Sequence, residues 1–162
     1  MDLRLHALNR FGLGARVGEA RQVDDPRGWL LDQLDQGTPL VDAPAISTSA
    51  SDAVAAYSRA EDRATRLQAR ERLGEIAAAE ASAALTQRVT TSRPFVERLV
   101  AFWSNHLCVS TAGKWLVAPL AGSYEREVIR PHVLGLFEEM VLASATHPAM
   151  LLYLDKIGRA HV

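Results

Sequence analysis

One cysteine in 162 residues leaves no partner for an intramolecular disulfide, so cysteine usage does not mark an oxidising compartment. That thiol, Cys108, is expected to be buried and inert: a reactive one needs a site that stabilises thiolate, and His106, two residues away, points elsewhere on a helix. Net charge is also nearly absent. Eighteen basic residues against nineteen acidic ones give −1, which removes the electrostatic case for nucleic acid or an anionic membrane as a partner. Lysine is confined to Lys114 and Lys156, and the other cations are arginine. No window reaches the roughly 18 apolar residues of a membrane-spanning helix, and Met1 to His6 lacks the apolar core of a leader. The chain as written reads as cytoplasmic, with export left open if a leader precedes it. No segment alternates β-branched and polar residues, which leaves helix as the repeating element. The 48% hydrophobic content is ordinary for a globular chain, and a chain this size buries about 70% of its unfolded surface around one core.

Asp2 caps a first helix carrying Leu5, Leu8 and Phe11, which Gly12 stops. Gly12-Leu13-Gly14 follows a helix and Gly18 is misplaced for a third glycine, so this is no phosphate-binding loop and no cofactor is expected. Asp24 or Asp25 before Pro26, and Gly37 after the run, bracket a second helix with Trp29, Leu30 and Leu34 inside. Residues 38–51 read as a mobile polar connector. From Asp52 an alanine-rich helix extends to Val89, with Gly74 the expected break and Asp62 placed to pair with Arg66 one turn on. Val109 to Trp115 is a loop. Gly122 or Ser123 starts a helix that Pro131 interrupts, Val133, Leu134, Phe137, Met140 and Val141 form the next apolar stripe, and Thr146 or His147 caps a last turn at Pro148. The fold class is all-α: an irregular orthogonal helical array, not a symmetric bundle.

Arg93 to Cys108 is the most informative stretch. Pro94 fits a first helical turn, and Phe95, Val96, Leu99, Val100, Phe102, Trp103 and Leu107 form one broad apolar stripe opposite a solvated Glu97 and Arg98. His106 follows Phe102 by four and Trp103 by three, so its ring is expected to be partly desolvated with one nitrogen on a backbone carbonyl. The functional alternative makes His106 a base or metal ligand, with Asn105 orienting a group beside it.

Phe102-Trp103-Ser104-Asn105-His106 resembles the Phe-Trp-x-Asn-His signature of the bacterial family known as domain of unknown function 1800. Ala7 to Gly14, Trp29-Leu30, Gln33-Leu34 and the block from Tyr124 to Asp155 are similar to it as well, so residues 1–155 read as the N-terminal part of a larger helical protein. The resemblance implies a mostly helical bacterial protein and carries no reaction. Family members continue differently after the equivalent of Asp155. Here Ile157 to Val162 fits the codons ATC GGA AGA GCA CAC GTC, which resemble a sequencing-library adapter, so residues 156–162 are expected to be a non-native tail.

No glutamate-bridged histidine pair and no Gly-x-Ser-x-Gly elbow is present. His106, His132 and His147 with Glu138 or Asp155 can meet as metal ligands only if separate helices converge, and no metal is expected. Tyr124, Glu125, Arg126, Glu127, Arg130 and His132 form a polar cluster of the kind that makes a buried salt-bridge knot. Two functions follow. The first is a scaffold or interaction protein with a protein partner, in which Asn105 and His106 are structural. The alternative is an enzyme, a hydrolase for instance, whose catalytic candidates are Asn105, His106, Arg130 and His132, completed by a downstream part.

Overall fold

The computed structural model describes residues 2–39, 41 and 49–156, and every regular element among them is helical. Helices begin where a side chain or a proline relieves the unpaired N–H groups of a first turn. Asp2 accepts from the Arg4 and Leu5 amides to open α1 (Leu3–Phe11), and Asp25 accepts from Arg27 as Pro26 opens α2 (Pro26–Asp35). Gly37, at φ 70°, takes the left-handed conformation just past the end of α2, where a side chain would be strained.

The expected long helix is two helices. α3 (Ala50–Arg59) and α4 (Arg63–Thr90) divide at Ala60–Asp62, not at Gly74, which passes through α4 with open space around it. Asp62 makes the division: it caps α4 by accepting from the Thr65 amide at 2.9 Å and the Thr65 hydroxyl at 2.6 Å. Those bonds, the hydroxyl's first, hold its carboxyl below the usual range. Arg66 therefore does not pair with Asp62 and donates instead to the Ala60 carbonyl at 2.8 Å.

α5 (Pro94–His106) starts at its proline as expected. The following helix starts earlier than Gly122, because Pro119 marks a first turn that a short 3-10 turn, Trp115–Val117, leads into. This helix, α6, is α-helical over Ala118–Tyr124, widens to a π-turn over Glu125–Ile129 and closes with Arg130–His132. Pro131 has no N–H to continue the ladder, and the helix ends one residue later. α7 (Phe137–Thr146) and α8 (Pro148–Tyr153) complete the chain. Of the expected connector, Leu40 and residues 42–48 lie outside the described residues, Ala50 and Ser51 belong to α3, and of the expected tail only Lys156 is described. No described helix is long and apolar enough to cross a membrane.

The core closes around α6, not around α5. Leu120, Tyr124, Val128 and Ile129 of α6 meet Leu73 and Ile76 of α4, Val96 and Val100 of α5, Met140 of α7 and Ala149 of α8 in one buried cluster. Full burial of a valine or leucine contributes about 1.5–3 kcal/mol, so this cluster carries most of the fold's stability. α4 and α6 approach so closely that a Cβ at Gly122 would collide with the Glu80 side chain, which is why glycine stands there. α1 and α2 pack against the start of α5. In α2 the most buried side chain is Gln33, not Leu34: its amide donates to the Trp29 carbonyl at 3.0 Å and accepts from the Phe95 amide at 2.8 Å. Leu5, Phe11 and Leu34 remain exposed and only Leu8 of the first stripe is fully inside.

Candidate functional site

Among the described residues Arg130 is the most deeply buried cation, 1% exposed, and the π-turn is what places it. In a regular α-helix of 3.6 residues per turn, positions five apart lie about 140° from each other. The wider turn brings Arg130 round onto Glu125: its amide bonds the Glu125 carbonyl, and its Nε and Nη2 donate to the Glu125 carboxylate at 3.1 and 2.8 Å. Its Nη1 and Nη2 also donate to the two oxygens of Glu97 at 2.7 and 2.9 Å, and Nη1 donates to the Pro39 carbonyl at 3.1 Å. Those contacts use all five guanidinium N–H groups. Glu125 takes a second cation, Arg88, at 2.6 Å, so two carboxylates balance two guanidinium groups. Burial alone would lower the Arg130 pKa. The Glu97 hydrogen bond and the charges of Glu125 and Glu97 reverse that and hold it above its ordinary value. One helical turn earlier on α6, Arg126 pairs with Glu80, 3% exposed, across the α4 contact.

Glu97 therefore sits on the buried side of α5, fully inside, and the solvated position expected for it is corrected. The two members of the expected exposed pair are 100° apart on the helix: Glu97 turns in toward Arg130, and Arg98 turns out to donate to the Gly12 carbonyl at 2.7 Å.

A second buried polar group joins α6 to α7 and α8. The Tyr124 hydroxyl donates to the Leu107 carbonyl at 2.8 Å, and the Ser144 hydroxyl donates to it at 2.6 Å. Burial raises the tyrosine pKa, partly offset by Ser144. His147, 7% exposed, accepts from the Ala149 amide through Nδ1 at 3.1 Å, which leaves the proton on Nε2 to face Glu127 at 3.3 Å. Desolvation lowers its pKa against the opposing charge of Glu127. With both ring nitrogens committed, His147 is the N-cap of α8. The end of α8 is held in the same manner: Asp155 adopts φ 57° as the C-terminal residue after the last turn, and Lys114 donates to the Tyr153 carbonyl at 2.6 Å and pairs with Asp155 at 2.7 Å.

The signature stretch of α5 lies elsewhere. Its buried arc is turned toward Glu97 and away from Phe102, which is 57% exposed. His106 is exposed, not desolvated: its ring stacks parallel on Phe102 at 5.9 Å and meets Trp103 edge-on at 5.6 Å, and no ring nitrogen is hydrogen-bonded among the described residues. Trp103, half-buried, lies 5.3 Å from Phe137, itself 53% exposed. Cys108 is exposed too, against the burial expected for it. Asn105 stands beside His106 in solvent. The result is one aromatic face running from α5 onto the first turn of α7, continued by exposed Leu136 and Val141.

Of the four catalytic candidates, Asn105 and His106 are neighbours at the exposed end of α5. Arg130 is enclosed in its ion network, and His132 turns Nδ1 back onto the Val128 carbonyl at 2.7 Å. The ligand set of His106, His132 and His147 with Glu138 or Asp155 is not assembled, and among the described residues no three His, Cys, Asp or Glu side chains converge to hold a metal.

A family model described as Protein of unknown function (DUF1800) matches residues 6–159. The chain belongs to that family. No curated protein and no solved structure matches it. The DUF1800-like stretches noted in the sequence divide by role in this chain. Asn9 accepts from the Ala15 amide at 3.0 Å to brace the loop after α1, Gln33 bridges α2 to α5, and Tyr124 to Asp155 builds the hub and the ion network. Among the described residues Phe102 and His106 stack on each other within α5, and Asn105 stands exposed beside them. Sequence reasoning missed Glu97, Glu80 and Ser144 as buried partners. The first two had a signal, since a buried arginine on α6 demands carboxylates from facing helices; Ser144 had none.

Proposed function

We propose that this DUF1800 chain is a helical scaffold that binds a protein partner through the face formed by Phe102, Trp103, His106 and Phe137. The observation that carries the reading is the packing of exposed Phe102 and Phe137 against half-buried Trp103, with exposed Asn105 and His106 beside them. Contiguous apolar surface of this kind marks interaction sites, and aromatic side chains are the usual anchors of protein interfaces. The ion network supports the same reading by holding α5 and α6 in fixed relation beneath that face. The alternative, a hydrolase using Asn105, His106, Arg130 and His132, requires these groups in one cleft with free hydrogen-bonding capacity, and Arg130 has none left.

A Phe102→Asp/Phe137→Asp double variant tests the proposal. It should keep the wild-type melting temperature to within a few degrees and lose a partner that co-purifies with the wild-type protein from its native cell. Retention of that partner would refute the assigned face. Loss of the fold would show that the rings belong to the core.

A further inference from the structure

A groove of about 450 Å³ lies between α3, the 3-10 turn before α6, and α8. Its walls are Val54, Ala55, Leu116 and Leu152 over a floor of buried Leu120, and among the described residues Arg59 is the one charged residue that lines it. Among the described residues Arg59 makes no hydrogen bond and no ion pair. Its guanidinium therefore needs no internal partner, in contrast to Arg88, Arg126 and Arg130. Ser51 and Ser58 also lie along the α3 wall, and Ser58 uses its proton on the Val54 carbonyl at 2.9 Å.

Volume, lining and charge match one ligand class. Small-molecule pockets run from about 300 to 1,000 Å³, with mostly apolar walls and few polar groups that fix orientation. From Ser51 to Arg59 the α3 wall is about 12 Å long at 1.5 Å per residue, which accommodates an extended tail of roughly eight carbons. A single cation at one end of an apolar trough complements a single anionic head. We infer that this groove binds a medium-chain monocarboxylate, its tail along Val54, Leu116, Leu120 and Leu152 and its carboxylate on Arg59. Burial of the tail's methylenes supplies the affinity, and the charge-assisted fork of an arginine on a carboxylate sets the polarity of binding. This site is separate from the aromatic face and stands whether or not that face binds a partner.

Octanoate is the probe, titrated calorimetrically into the whole chain with 1-octanol as the uncharged control. One saturable site is expected, with a dissociation constant on the order of 0.1–1 mM. Arg59→Gln, at an exposed position, should leave the circular dichroism spectrum unchanged, weaken octanoate about five- to tenfold and leave 1-octanol unaffected. Val54→Phe, which fills the trough, should remove binding of both; amide shifts confined to α3, Leu116 and α8 on titration provide the same localisation without a variant. Absence of saturable octanoate binding overturns the inference. Equal weakening of octanoate and 1-octanol by Arg59→Gln, or none, overturns the role given to Arg59, and shifts confined to the aromatic face would move the site elsewhere.

Discussion

Replacing Arg130 by methionine removes the cation from the centre of the molecule and leaves its partners in place. Glu97, fully buried, then keeps only a long contact from the Gln87 amide at 3.4 Å, and the Pro39 carbonyl loses its donor. Glu125 is better placed, because Arg88 still holds it at 2.6 Å. The dominant cost is thus one uncompensated buried carboxylate, about 3–5 kcal/mol by comparison with other broken buried pairs. That is a large fraction of the 5–15 kcal/mol available to a domain, and corresponds to a fall in melting temperature of roughly 6–20 °C. Urea unfolding followed by circular dichroism measures it. Adding Glu97→Leu removes the stranded charge, so the Arg130→Met/Glu97→Leu double variant should recover to within about 1–2 kcal/mol of wild type despite two lost partners. An Arg130→Met variant within about 1 kcal/mol of wild type, or single effects that simply add, would refute the network as the account describes it.

Gly122→Ala should destabilise by about 1–3 kcal/mol, because its methyl meets the Glu80 side chain where Arg126 holds it, and a thermal melt checks this. Neighbouring aromatics of α5 should behave differently: Phe102→Ala within about 1 kcal/mol of wild type, Trp103→Ala about 2–3 kcal/mol below it; equal losses in urea titrations would contradict the burial assigned to each. His147 carries a pH dependence. Its folded pKa lies below the unfolded value of about 6.5, so the unfolded state binds more protons, and the stability contribution present above that pH is lost as pH falls through it toward the folded pKa. His147→Asn retains a side-chain oxygen for the Ala149 amide and does not titrate, so the variant should show a shallower fall in stability below pH 6.5; parallel curves would dismiss the histidine as the cause.

Helix starts were legible because they depend on one or two neighbouring residues: Asp2, Asp25-Pro26, Pro94 and His147-Pro148 all open helices in the structure. Burial was less legible, since it depends on what a distant segment offers. Glu97 reads as solvent-facing in its own helix and is buried only because Arg130, thirty-three positions later, needs it. Phe102 reads as core for the converse reason: periodicity assigns it to a stripe, but no described helix covers that side of α5. The π-turn had no local signature beyond Pro131, so the pairing of Glu125 with Arg130 could not be read from regular helical spacing. Asp62 shows a competition between two local rules, the cap and the i, i+4 ion pair, and the cap prevails with two short hydrogen bonds.

Site-directed photo-crosslinking in the native cell measures directly whether the proposed aromatic face of α5 and α7 meets a protein partner. A photoreactive residue placed at Phe102 should give one discrete protein adduct, and the adduct should vanish when Phe137→Asp is introduced alongside it. The same residue placed at exposed Gln68 on α4 should give no such adduct. An identical pattern at both positions, or an adduct at Phe102 indifferent to Phe137→Asp, would contradict the account.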